Sequence, residues 1–435
     1  MKQPDYRRNF TAGLVHGVFF QVAAALGSIH TVLPSFVALL TPSRFAVGLM
    51  ATVEGIGGVV PQLVTAYVIE DRPRKKPILL AIITLRWVSW SLLAGLTLFF
   101  GVSHPGVVLA ALLVLFAVFS IAGGVGTVVY ADVFSKAIPT QRRGRFTAWK
   151  QLLGYAGAIG AGWVVSRVLD PDGAFSFPTN FAFIFVLSAL SLLVAFGGFA
   201  LIREPVGPAN RASTSMRHLL QRAWALARAN RNFRRVLWAR GLTDTVMAMA
   251  PFYVVYALSD PSVEAGTVGV YLILQMLGGA ISNPVWGWLG DRFGNRTVII
   301  GTTFTAALTP AAALLAVSTP SAFLVVFAGI GATMSGVRLG YGNLILELAE
   351  AELRPTCVAL QNTLLAPVTL MPLVVAGLLV VIPFEVLLAL GVVIMIIALV
   401  FASQVVDPRL DTAGRCLEPD NAGSSGSMGS DEDRP

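Results

Sequence analysis

Long apolar runs alternate along this chain with short clusters of charge, proline and glycine. A helix needs about 20 mostly apolar residues to cross a hydrocarbon core. The ten-residue alternation of a transmembrane barrel strand does not appear. Helical spans are therefore expected at roughly 10–40, 45–70, 78–100, 106–136, 147–169, 178–202, 233–258, 263–289, 298–317, 320–350, 356–381 and 384–404. That pattern predicts an all-α membrane protein with about twelve transmembrane helices.

Composition agrees with a life in lipid. Of 435 residues, 55% are hydrophobic and 12% charged, with mean hydropathy +0.74, whereas about a quarter of a soluble domain is charged. Basic residues near helix ends are retained on the cytoplasmic side. Arg7, Arg8, the 72–76 cluster, Lys136, Arg142, Arg143, Arg145, the 203–235 run, Arg292, Arg296 and Arg354 all fall at one face, and the opposite loops hold little beyond Arg44 and Arg167. A multi-pass protein of the cell (inner) membrane with both termini cytoplasmic is expected. The net charge of +8 then reads as a topology signal facing an anionic lipid surface, with no nucleic acid as partner. The first apolar run continues to Leu40 and carries His16 and Gln21, which favours a span over a cleaved leader. Cys357 and Cys416 both fall on the cytoplasmic side, so no structural disulfide is expected.

A polar stretch at 203–232 divides the chain into six spans and six. Within it Met216, Leu219, Leu220, Ala223, Trp224 and Ala227 keep helical spacing while Arg217, Arg222 and Arg228 lie off the stripe, the pattern of an amphipathic helix on the leaflet or packed as a connector. The expected units are 1–202, the linker 203–232, 233–404 and a disordered polar tail at 405–435. The halves also repeat. Arg7-Arg8 corresponds to Arg234-Arg235, Asp71-Arg72 to Asp291-Arg292, and Tyr130 through Arg143 aligns without gaps on Tyr341 through Arg354. Parallel repeats of this kind place a substrate site between the halves near the midplane.

The stretch Trp286 to Arg296, WGWLGDRFGNR, carries Gly287, Asp291, Arg292, Gly294 and Arg296 in the spacing of a loop motif, with Asn295 at one usually basic position. A weaker copy keeps Asp71, Arg72, Lys75 and Lys76 but has Tyr67 and Arg74 at the glycine positions. In this motif, the span count and the central basic loop, the chain resembles the major facilitator superfamily over its whole membrane part. The resemblance implies two six-helix bundles, a cavity lined mainly by the first, fourth, seventh and tenth helices, and a conformational lock at the motif. Asp291 would then sit against the positive start of the fifth span near 145–148, and Asp71 near Thr356. Two family patterns are poorly met. Ser120 stands where proton-coupled members often carry an arginine before Gly124 and Gly126, and Gly154, Gly157, Gly160 and Gly162 in the fifth helix lack the antiporter proline. Close helix packing is the simpler role for those four glycines.

Intramembrane polar residues are costly unless paired or facing a cavity. Gln21 and His30 in the first span, Glu54 in the second, Asp244 in the seventh, Gln275 and Asn283 in the eighth and Arg338 in the tenth are the candidate substrate or ion pathway. Glu54 or Asp244 could carry a proton or cation, and Arg338 an anionic or carbonyl group. The competing readings are an Arg338–Asp244 ion pair, a packing role for His30, and interhelical hydrogen bonds for Gln275 and Asn283. Arg86 and Arg240 lie close enough to the cytoplasmic face to snorkel. At the rim, Lys136, Arg142, Arg143 and Arg145 follow the fourth span while Glu347, Glu350 and Glu352 follow the tenth, an expected ion-pair gate of individually weak contacts.

These readings predict a secondary active transporter for a small organic solute, working by alternating access as a monomer, with proton or other ion coupling left open. A membrane receptor or assembly factor that kept the fold is the rival. No phosphate-binding loop occurs, no HExxH occurs and His16 lies far from His30, so an ATP-driven pump, an enzyme, a metal site and a cofactor are not expected. Asp291→Asn, and separately reversal of the three glutamates to lysine, should shift the balance of inward-open and outward-open states in accessibility labelling. An unchanged balance would reduce motif and rim to topology markers.

Overall fold

The computed structural model describes residues 3–68, 72, 74–205, 221, 224, 225, 228, 230–348 and 354–407. Asp71, Glu350, Glu352, Cys416, most of the 203–232 linker helix and the tail beyond 407 lie outside them. Among the described residues every regular element is a helix. That is the physical expectation in lipid, where only a helix or a closed barrel satisfies its own backbone polar groups.

The helices are α1 (Gln3–Leu26), α2 (Val32–Leu40), α3 (Arg44–Val68), α4 (Lys76–Phe100), α5 (Pro105–Ala137), α6 (Thr140–Val168) and α7 (Thr179–Ala200) in the first part of the chain. The second part holds α8 (Arg231–Met247), α9 (Ala250–Ala257), α10 (Thr267–Phe293), α11 (Asn295–Ala316), α12 (Phe323–Gly336), α13 (Gly342–Leu348), α14 (Arg354–Leu365), α15 (Met371–Leu378) and α16 (Phe384–Ser403). A π-helical turn, Val337–Tyr341, joins α12 to α13, and a 3-10 turn, Ala366–Leu370, joins α14 to α15.

Ten helical segments of the described residues are long and apolar enough to cross a bilayer. The expected fifth and seventh spans, 147–169 and 233–258, are not among them. They correspond to α6 and to α8 with α9. Arg142, Arg143, Arg145 and Lys150 dilute the first, and Arg231, Arg234, Arg235, Arg240 and Asp244 dilute the second, which is also interrupted at Ala248 and Met249.

In the first part α1 packs on α6 and α7, α3 on α5, and α4 on α5 and α7; in the second, α10 packs on α12, α11 on α12 and α16, and α8 on α16. Two seams join early helices to late ones. Along α6 and α10, a Cβ added to Gly269 would lie 2.2 Å from Ser166 N and 2.4 Å from Gly162 O. Along α3 and α15, a Cβ on Gly48 would lie 2.5 Å from Ala376 Cβ and 2.6 Å from Pro372 O. Hydrogen in place of a side chain is what lets these backbones touch.

The apolar cores are distributed unequally between the two ends of the bundle. At the end away from the termini a single core runs through both parts of the chain, with Leu33, Phe36 and Val47 in the same cluster as Phe252, Tyr253, Val375 and Leu388. Arg44 there lies within electrostatic reach of Glu385, which accepts a hydrogen bond from the Tyr256 hydroxyl. At the end carrying the termini the cores are separate. One holds Leu79, Ile83, Val129 and Phe199, and the other Phe233, Val236, Tyr341 and Leu360.

Gly160 of α6 and Gly269 of α10 give a direct test of the seam. A Cβ on Gly160 would meet no atom within 4 Å, while one on Gly269 would enter the α6 backbone. Gly269→Leu is expected to lower the detergent melting temperature by the equivalent of about 1–3 kcal/mol or more, and Gly160→Leu to leave it unchanged. Equal melting of both variants would remove the seam as a structural constraint.

Candidate functional site

A cavity of about 590 Å³ lies between the two parts of the chain, lined chiefly by α1, α4 and α5 and closed on its far wall by α6, α10, α12 and the π-turn. Its size is that of a small-molecule site. Five of the seven predicted pathway residues line it: Gln21, His30, Glu54, Gln275 and Arg338. Asp244 and Asn283 are held elsewhere.

Several local features of the chain present these groups. The first helix is interrupted between Leu26 and Val32, and the break carries Ser28 and His30, so a polar ring sits at mid-depth without breaking a continuous helix face. His30 Nδ1 is buried without a hydrogen-bond partner, and so is Gln275 Oε1 on the facing wall, while Gln275 Nε2 donates to Met334 Sδ at 3.5 Å. His16 also lines the cavity, with its Nδ1 3.0 Å from Ala195 O and its ring packed on Phe199 and Tyr130. Arg338 enters the cavity from the π-turn, a local underwinding that often marks functional positions.

Two cations that the sequence reading set aside or passed over also line the cavity. Arg86 lies ten residues beyond the start of α4, about 15 Å along the axis at 1.5 Å per residue. That is half a bilayer and too deep to snorkel. Its guanidinium carbon lies 3.9 Å from the Phe119 ring centroid and 4.8 Å from that of Phe20, and its Nε is buried without a partner. Desolvated cation–π contacts of this kind are worth about 2 kcal/mol. Glu54 lies within electrostatic reach of it. Lys150 comes from α6, its ammonium 5.5 Å from the Tyr130 ring, with Gly17 leaving room for its stem: a Cβ there would lie 2.5 Å from Lys150 Cδ. The arrival of a lysine one turn inside an expected span was the readable signal for it. Arg338 lies within electrostatic reach of Lys150 across the cavity.

Asp244 pairs with Arg240 one helical turn earlier, Nε to Oδ2 at 2.6 Å, and Arg240 lies over the buried Tyr341 ring at 5.4 Å. The ion pair is thus within α8 and not with Arg338. Asn283 donates to Gln151 and accepts from Ser335 Oγ at 3.3 Å, tying α10 to α6 and α12.

At the loop motif, Gly294 has φ +86° and closes α10, a conformation that only glycine adopts freely. Arg296 Nη2 donates to Ser403 O at 2.8 Å, and Arg292 lies over Phe293. Gly287 and Asp291 line a second, smaller pocket with Asn295, Asn343 and Glu347, all of their own half, and Asn295 Nδ2 donates to Glu347 at 2.9 Å. In the first-half copy Arg72 is exposed, Lys75 pairs with Asp132 at 3.1 Å, and Lys76 Nζ donates to Ala200 O and Ile202 O at 2.6 and 2.7 Å. Glu204 accepts from the Lys75 and Lys76 amides, capping α4. Of the expected gate, Lys136 pairs with Asp132 at 2.5 Å, Arg143 Nη2 caps α5 at Ser135 O (2.6 Å), Arg142 lies over Tyr6 and Arg145 is exposed. Among the described residues no three His, Cys, Asp or Glu side chains converge as a metal cage.

Many apolar spans, early and late helices seamed at one end, and a largely apolar cavity that carries four ionic side chains define a multi-spanning membrane fold with a central cavity. Residues 241–415 match the family model of the Major Facilitator Superfamily. Solved structures with the same fold include a mutant of the nucleoside transporter NupG, with TM-score 0.70 and 12% identity over 92% of this chain and 99% of that one. A bacterial homologue of the iron transporter ferroportin in its inward-facing state gives TM-score 0.65 and 16% identity over 91% and 98%; such a homologue in the outward-facing state gives 0.56 and 14% over 92% and 98%. The family model thus matches the second part of the chain, and the solved structures share its fold throughout. It is also 24% identical over 322 residues to the uncharacterized protein Rv2209 of Mycobacterium tuberculosis, a match covering 72% of this chain and 59% of the relative's length.

Removing one partner of the Arg240–Asp244 pair strands a charge, whereas removing both does not. Asp244→Asn is therefore expected to melt lower than the double variant Arg240→Gln/Asp244→Asn, read as a double-mutant cycle in detergent. Additive losses would show that the pair contributes nothing.

Proposed function

We propose that the chain is a secondary transporter that moves a small organic solute by alternating access of two six-helix halves, 1–202 and 233–404. Adding α6 and the α8–α9 pair to the ten apolar segments gives the twelve spans of that arrangement. A charged helix such as α6 is tolerable in a bundle when its charges turn toward a cavity, as Lys150 does. The 203–232 segment links the halves, the polar tail follows, and both termini lie in the cytoplasm of the cell membrane.

One observation carries the reading. A common apolar core at one end and two separate cores at the other, with a cavity between, is the state of a two-bodied carrier open toward its termini. The higher TM-score with the inward-facing ferroportin homologue than with the outward-facing one supports the same state. In this state Asp291 and Glu347 line a pocket of their own half. Closure would bring the motif and the rim residues Lys136, Arg142, Arg143, Arg145 and Glu347 toward the other half, where lock and gate act. Glu54 is the carboxylate that lines the cavity, so a coupled proton would ride there and not on Asp244, which lies outside the cavity and pairs with Arg240.

The test is flux. Full-length protein in proteoliposomes, screened against mixtures of organic solutes with and without a pH gradient, is expected to give saturable counterflow. Flux indifferent to the gradient would remove the proton and keep the transporter. Inserted, monodisperse protein that moves no solute would favour a receptor or assembly factor.

A further inference from the structure

Four ionic side chains line the cavity: Arg86, Lys150 and Arg338 as cations and Glu54 as the anion. Together these four groups give the lining a formal net charge of +2. The carboxylate is already committed, because Glu54 lies beside Arg86 at the first-half wall. Lys150 and Arg338 line the same cavity within electrostatic reach of each other, one from each part of the chain, and the lining holds no carboxylate besides Glu54. Like charges repel, and the repulsion grows as water is expelled from the space between them.

We infer that the cavity binds an organic anion with an apolar, aromatic-sized body, its negative group bridging Lys150 and Arg338. The inference rests on the transporter reading for its purpose but not for its chemistry. Three observations support it independently of charge counting. Arg86 lines the cavity with its guanidinium held by Phe20 and Phe119, a positioned cation on the wall. Trp90, Phe116 and Tyr155 add further aromatic surface to receive an apolar body. The π-turn delivers Arg338 from the second half to the same chamber as Lys150 of the first.

The arrangement also couples binding to closure. Lys150 and Arg338 push the halves apart at the open end when nothing lies between them. An anion reverses the sign of that interaction, drawing both cations inward, so the bound state favours the occluded form. A cationic or neutral solute would leave the repulsion in place.

The test uses a matched series on the full-length protein: benzoate and 2-naphthoate against their neutral amides and the corresponding arylmethyl ammonium ions. Equilibrium binding in detergent is expected to be saturable for at least one carboxylate and weaker for its amide and ammonium partners. Lys150→Gln and Arg338→Gln should each weaken carboxylate binding roughly tenfold or more, and Lys150→Arg should retain it. If Arg338→Gln does not fold, the Lys150 pair of variants carries the comparison. Carboxylate binding equal to or weaker than that of the amide or ammonium, or no saturable carboxylate binding up to about 1 mM, would overturn the inference. Carboxylate binding without flux in proteoliposomes would sustain the anion site and sink the transport reading, whereas flux of an ammonium or amide alone would do the reverse.

Discussion

Helices in lipid gain nothing by burying apolar side chains against one another, because the tails outside are equally apolar. What holds this bundle together must come from close backbone approach. The Gly269 contact with Gly162 and Ser166, and that of Gly48 with Pro372 and Ala376, are therefore the constraint on which the rest depends. Each seam joins an early helix to a late one. In the proposed alternating access they would set the axis of tilt, since surfaces this tight at one end leave opening and closing to the other.

Charge is the second economy of the fold. Among the described residues, several ionic groups are held by local partners. Arg240 and Asp244 neutralise each other within one turn of α8, Asp132 collects Lys75 and Lys136, and Arg86 spreads its charge over two phenyl faces. Lys150 and Arg338 differ, lining one cavity from the two parts of the chain. The molecule thus stores an unbalanced electrostatic term at the one place where relative motion of the halves changes distances most.

Hydropathy made the all-α membrane fold readable from the sequence, and the spans it located best are those free of charge, such as α5, α7 and α16. It is least informative for α6 and α8, where the same arginines and lysines that build the site and its supports lower the apolar signal. Polar residues inside long apolar runs were a sound guide to the cavity: Gln21, His30, Glu54, Gln275 and Arg338 line it. Depth was the weak point. Arg86 could be judged only once the start of α4 at Lys76 was fixed, and the i,i+4 spacing of Arg240 and Asp244 outweighed a longer-range pairing that looked plausible from span numbers alone. No local propensity announces the π-turn at Val337–Tyr341.

That turn changes what the internal repeat means. Before it, aligned positions face alike: Gly123 with Met334, and Thr127 with Arg338, all line the cavity. After it they do not. Tyr130 still lines the cavity, while its counterpart Tyr341 is fully buried in the second-half core beneath Arg240. One extra residue in a turn rotates everything beyond it by about 100°. The duplication is therefore in phase on one side of Arg338 and out of phase on the other, so residues matched letter for letter at the rim, Lys136 and Glu347 among them, are not matched in direction. A chain built from two copies of one design has acquired, through a single inserted step of backbone, two ends that can no longer be interchanged.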